Sequence, residues 1–134
     1  MPDDTMPDDT LMPFEHYGLP VYRRDDGEYA VAATDALADH AARLAIAESL
    51  WAFNTAFLAG FIPALRHRAA AAAFDKMREA RCEDATELVS TMLGDNLSRF
   101  VAAAIAADGR GHFLSPYDGE EIEGDDGSYS YRIN

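Results

Sequence analysis

The stretch DGRGHFLSPYDGEE, residues 108–121, decides how the rest of the chain is read. Helix-forming sequence runs up to it and β-prone sequence follows it. Gly109 falls just past the upstream helical pattern, where a glycine in left-handed geometry ends a helix. Gly111 frees the backbone for a second sharp change of direction. HFLS (112–115) then reads as a short strand and PYDG (116–119) as a proline-containing turn. On this reading the segment is a corner where a helix hands over to a sheet.

Working outward from the corner, SYSYRI (128–133) alternates as a half-buried strand does, with Tyr129, Tyr131 and Ile133 on one face. EGDDG (123–127) can close a hairpin onto it. At the other end, VYRRDDGEYAVA (21–32) places two β-prone runs around Asp25-Asp26-Gly27, with Gly27 supplying positive φ for a tight turn.

Between the two hairpins the periodicity is helical. Thr34 is a good N-cap, and Asp35 sits in the first turn against the helix dipole. Residues 35–52 carry apolar side chains at 37, 41, 44, 45 and 51. Asp39 and Arg43 stand four apart. Asn54 can cap a short helix reaching Gly60, and Pro63 can occupy the first turn of the next. In 64–82, Leu65, Ala69, Ala72, Ala73 and Met77 form a slim stripe. Glu83 or Asp84 starts a further helix, which Gly94 ends after Leu93. Asp95 or Asn96 caps 97–107, with Leu97, Phe100, Val101, Ala104 and Ile105 inward. The expected fold is α+β, with four to five helices packed on a small antiparallel sheet formed by the N- and C-terminal hairpins.

The length of 134 residues fits one domain over 14–134 behind a flexible tail at 1–13, since the tandem MPDDTMPDDT has little apolar surface to bury. Met1, Met6 and Met12 are all possible starts. A single cysteine, Cys82, favours a reducing compartment. The longest apolar stretch, 51–65, is too short for a bilayer and is interrupted by Asn54 and Thr55. The expected location is the cytoplasm of a bacterial or archaeal cell.

Net charge is −13, with acid concentrated in residues 1–34 and 108–134. Such a field repels nucleic acid and attracts basic surfaces. Ten arginines against one lysine, with abundant alanine, fit a GC-rich genome or a salt-loving host. The bases at 66–68, Lys76, Arg78 and Arg81 are expected to pair with Asp75, Glu79 and Glu83 rather than bind phosphate. His16, His40, His67 and His112 are scattered and Cys82 has no metal-binding spacing, so no metal is expected. No phosphate-binding glycine loop is present, and no cofactor is expected.

Three constellations remain. Asp108 and His112 could serve as a base-and-orienter pair, with Arg110 holding a phosphate or carboxylate, in a small enzyme or nucleotide-binding protein. The alternative is structural, with Phe113 plugging the core and Arg110 or His112 tying the corner to backbone carbonyls. Glu48 lies near Leu44, Ala45 and Trp51 on the apolar face. It is either an acid of raised pKa or a carboxylate bonded at the stripe's edge. The densest acidic run is Asp118, Glu120, Glu121, Glu123, Asp125 and Asp126. These carboxylates fail the spacing of a calcium loop but could mimic nucleic-acid phosphates. Their plainer role is a solvated turn with charged edges that block strand addition.

SLWAFN (49–54), CEDA (82–85), DGRGHFL-x-x-YDGEE (108–121) and YRIN (131–134) resemble a family of small acidic proteins of phages, prophages and plasmids with no established activity. The resemblance covers roughly residues 28–134 and implies a genomic setting, without catalytic residues. It leads to the expectation of a non-enzymatic accessory protein, in concrete form an anti-CRISPR or antirestriction inhibitor. Such a protein would bind a basic, nucleic-acid-binding host protein by acidic mimicry, without touching nucleic acid or membrane. The expected contacts are the six carboxylates of 118–126, with Asp25, Asp26 and Glu28 beside them and Tyr117 and Tyr129 as rim anchors. The alternatives are the Asp108/Arg110/His112 enzyme and a homodimer through the Ala69–Ala73 helix.

Overall fold

A computed structural model describes residues 10–134. It is an α+β fold with a five-stranded antiparallel sheet among the described residues. The described residues divide into two compact units, 10–45 with 107–134, and 46–106.

The first unit holds the sheet. Strands β1 (Thr10–His16), β2 (Leu19–Arg24), β3 (Gly27–Ala32), β4 (Ile122–Glu123) and β5 (Tyr129–Arg132) lie in the order β1-β2-β3-β5-β4. N- and C-terminal hairpins therefore meet at the β3–β5 pairing, as the alternating patterns require. β1 takes in residues 10–13, which the sequence reading placed in the tail; the tail's residues 1–9 lie outside the described residues. Tyr17 and Gly18, both at positive φ (52° and 83°), make the two-residue turn joining β1 to β2.

Asp25 and Asp26 form the β2–β3 turn, flanked by the pair Arg24 and Gly27. Gly27 is needed for space: a Cβ there would overlap the Asn134 carbonyl oxygen and lie 2.9 Å from Arg132 Nε. Helix α1 (Asp35–Glu48) begins as expected, with Thr34 Oγ1 accepting the Leu37 N–H at 3.2 Å. Its buried face is Ala38, Ala41, Ala42, Ala45 and Ile46, while Leu37 and Leu44 are exposed. Five small or compact side chains, not the leucines, set that face.

The second unit is helical. Asn54 caps α2 (Thr55–Ala59), its Oδ1 accepting the Phe57 N–H at 2.9 Å. Pro63 opens a 3-10 turn, and α3 follows at Arg68–Arg81. Helix α4 (Thr86–Leu93) ends at Gly94 with φ 52°, and α5 runs Leu97–Asp108. Phe100 is fully buried, and the rings of Phe53, Phe57 and Phe61 pack round it at 4.9, 5.2 and 5.4 Å. Arg78 donates to the carbonyls of Trp51 (2.8 Å) and Phe53, to Thr55 Oγ1 (2.7 Å) and to Asp75 (3.1 Å), binding α3 to the segment before α2. The expected pairing of α3 bases with acids holds for Arg78 and Asp75. The expected stripe holds only in part: Leu65 is buried and Met77 half-buried, but Ala69, Ala72 and Ala73 face outward and Phe74 is the buried residue of α3.

The corner that opened the reading is tighter than expected. Gly109, at φ 82°, ends α5, but Arg110–Leu114 is a short helix, α6, and not the strand read at 112–115. Gly111 explains this. A Cβ there would lie 2.6 Å from Gly119 O, 2.7 Å from Glu120 C and 2.8 Å from Glu121 N. The helical turn is pressed directly on the returning backbone, a contact that local propensity cannot foretell. Leu114, fully buried, is the core plug, and Phe113 is half-buried.

Candidate functional site

Arg110 organises the acidic side of the first unit. Its Nε and Nη2 donate to the two oxygens of Glu121 at 2.9 and 3.3 Å, and its Nη1 donates to Asp35 Oδ1 and Asp35 O at 2.9 and 3.2 Å. The guanidinium lies 4.7 Å from the Tyr129 ring centroid. Tyr131, fully buried, donates its hydroxyl to Glu121 Oε1 at 2.5 Å. Burial alone would lower the Arg110 pKa, but the hydrogen bonds to Glu121 and Asp35 outweigh it and hold the group above its usual range. Burial, then the bond to Glu121, raises the Tyr131 hydroxyl well above the ordinary tyrosine value.

This geometry does not assemble the proposed catalytic set. Arg110 is spent on Asp35 and Glu121, and Asp108 and His112 are exposed. Among the described residues no hydrogen bond or ion pair joins Asp108, Arg110 and His112 to one another; the His112 ring meets only Phe113, edge-on at 4.9 Å. Glu48 is exposed rather than set in the apolar face, because α1 turns its alanines inward; its carbonyl accepts from Thr86 Oγ1 at 3.4 Å.

The carboxylates expected to form one patch are divided by the sheet register. Tyr29 pairs with Arg132 at one end of the β3–β5 ladder and Ala32 with Tyr129 at the other. The Asp25–Asp26 turn precedes the first end and the 124–128 turn enters at the second. A six-residue strand separates them by roughly 17 Å, more than the ~8 Å Debye length at physiological salt. The two hairpin turns therefore do not form one continuous acidic patch.

At the first end, Arg132 gathers acid from both chain ends. It donates to Asp26 O, pairs with Asp26 Oδ2 at 3.9 Å and stacks 3.9 Å from the Tyr117 ring centroid. Glu28 accepts from Asn134 Nδ2 at 2.8 Å and from Arg23 at 3.4 Å. Ser115 Oγ bridges Asp118 Oδ1 (2.7 Å) and Arg132 O (2.9 Å). Asp118 is thus tied through Ser115 to the Arg132 end of β5, and its Oδ1 also accepts the Glu120 N–H at 3.0 Å. The Ser115 hydroxyl and the Glu120 N–H hold the Asp118 carboxyl below the usual range.

The chain matches no family model, no curated protein and no solved structure.

Glu123, paired with Tyr129 at the second end, and Glu120, beside Asp118 at the start of the acidic segment, are exposed and carry no ion pair among the described residues. Exposed Asp125 stands beside Asp126, whose Oδ1 accepts from the Ser128 N–H at 3.0 Å and hydroxyl at 2.6 Å, holding its carboxyl low. Ile122, between the glutamates on β4, is 48 % exposed. Of the expected rim anchors, Tyr117 is exposed against Arg132, while Tyr129 gives its face to Arg110 and is half-buried. Among the described residues no group of three metal-ligating side chains could hold a metal ion, and no helix is long and apolar enough to cross a membrane.

Nothing in the sequence singled out Glu121 from its acidic neighbours. The signal lay in DGRG and YDGEE being brought together by the turn between them, and spacing alone does not reveal that.

Proposed function

We propose that the protein is a non-enzymatic binding protein that presents the carboxylates around β4 to a basic surface on a partner protein. The observation that carries this reading is the partition of charge. Residues 10–45 and 107–134 hold thirteen acids against five arginines, net −8; residues 46–106 hold seven acids against six bases, net −1. Solubility alone calls for no such division. In the sheet unit Arg110 and Arg132 are turned onto Asp35, Glu121 and Asp26, which leaves Glu120 and Glu123 facing solvent unneutralised. Surface carboxylates of this kind speed association with a basic partner and lose effect as salt rises.

The anti-defence inhibitor is the form this takes for a phage- or mobile-element-borne chain, a setting supported by the resemblance of DGRGHFL-x-x-YDGEE and YRIN. The partner is then a nucleic-acid-binding host factor, and the carboxylates compete with phosphates. On this reading the surface is Glu120, Glu123, Asp125 and Asp126, and the Asp25–Asp26 turn, at the far end of β3 from the 124–128 turn, is not part of it. The test is affinity capture from bacterial lysate at low and high salt, repeated with Glu120→Gln, Glu123→Gln and Asp125→Asn combined. A partner released by salt and lost in the triple variant supports docking through β4. A partner held equally by both proteins at both salt concentrations refutes it.

A further inference from the structure

We propose that Arg110 is a positioning residue: with Tyr131 it clamps Glu121 and fixes the acidic segment around β4 in one presentation, so that recognition depends on geometry and not on net charge. The consequence for binding rests on the docking reading above; the clamp itself does not.

The chemistry is that of a planar fork. Arg110 meets both oxygens of Glu121 and, through its remaining terminal nitrogen, Asp35 at the start of α1. One side chain therefore ties α6, α1 and the entry to β4 together. It does so at 14 % side-chain exposure, over the Tyr129 ring, where competing water is largely excluded. Tyr131 supplies a third hydrogen bond to the same carboxylate from the core side of β5. Gly111 lets backbone 119–121 lie directly on α6, so the segment is held by its main chain as well as by Glu121. Glu120 and Glu123 flank the fixed residue at one and two positions, and their bases of attachment are fixed with it. A surface built for diffuse attraction would gain from losing a cation at its centre. This one keeps Arg110 and uses it to hold an acid still. Ordering the segment before binding removes a cost that would otherwise be met on association.

The experiment compares wild type with Arg110→Lys, Arg110→Gln and Tyr131→Phe. Two readouts are taken: amide hydrogen exchange, and affinity for an Arg-Gly repeat peptide at low salt. Arg110→Lys keeps the charge and loses the fork; Tyr131→Phe keeps the ring in the core and loses only the hydroxyl. Faster exchange at 119–124 in all three variants is expected, with β2 and β3 still protected as the sign that the sheet is folded. Peptide affinity is expected to fall about tenfold in both Arg110 variants, although Arg110→Gln makes the protein more acidic. Unchanged exchange at 119–124 in Arg110→Lys and Tyr131→Phe overturns the clamp. Faster exchange with peptide affinity unchanged in Arg110→Lys and raised in Arg110→Gln sustains the clamp and overturns geometric recognition in favour of net charge.

Discussion

Gly111 shows what a single residue decides. With a hydrogen in place of Cβ, α6 and the 119–121 backbone touch; with a methyl group one of them must move. Gly111→Ala is expected to cost about 1–3 kcal/mol, the usual range for overpacking against unyielding neighbours, measured by chemical denaturation. A loss within error of zero would mean that the corner has slack. Two aspartates make a pH prediction at the same scale. The carboxyls of Asp118 and Asp126 are held below their ordinary value of 3.8 by hydrogen bonds from Ser115 and Glu120, and from Ser128. A lowered folded-state pKa stabilises above the unfolded value and is lost as pH falls through the folded one. Amide signals of Glu120 and Ser128, whose N–H groups donate to these carboxyls, should therefore stay constant down to about pH 4 and shift below it. A midpoint above the ordinary value would contradict the bonding described. Both glycines of the corner were legible in the sequence as places where the chain turns. That 112–114 would coil rather than extend was not, because a five-residue helix has no period to read and is decided by what it touches.

At the scale of elements, caps and turns were the most readable features. Thr34, Asn54 and Gly94 act where their chemistry places them, because each satisfies or frees backbone groups locally. Helix faces were less readable. In α1 alanine occupies both inward and outward positions, so spacing of larger apolar residues points the wrong way, with Leu37 and Leu44 exposed; in α3 Ala69, Ala72 and Ala73 look outward while Phe74 is buried. Strand β1 was missed because Pro13 interrupts it, and the register shift between Leu11 and Glu15 absorbs that proline at the sheet edge. Where one large side chain dominates, prediction is firmer. Phe100 is fully buried among three other phenylalanine rings, and Phe100→Ala is expected to cost about 3–5 kcal/mol. Thermal or urea unfolding measures it; a loss under about 1 kcal/mol would mean that the ring cluster does not anchor the helical unit.

Across the whole molecule, charge and fold follow the same division. The helical stretch 46–106 is almost neutral, and the sheet-bearing remainder carries nearly all the negative charge. That imbalance is visible in sequence, but its arrangement is not. The strand register sends the two acidic turns to opposite ends of the sheet. Arginine clamps absorb Asp26, Asp35 and Glu121, and among the described residues the short run around β4 faces solvent unneutralised, as do separate acids such as Glu15 and Asp108. The most direct test of the docking claim is NMR shift mapping of the wild-type protein titrated with an Arg-Gly repeat peptide at low salt. The account predicts perturbations concentrated at residues 118–126 and erased by added salt. Perturbations spread evenly over all acidic residues, or centred on 46–106, would contradict it.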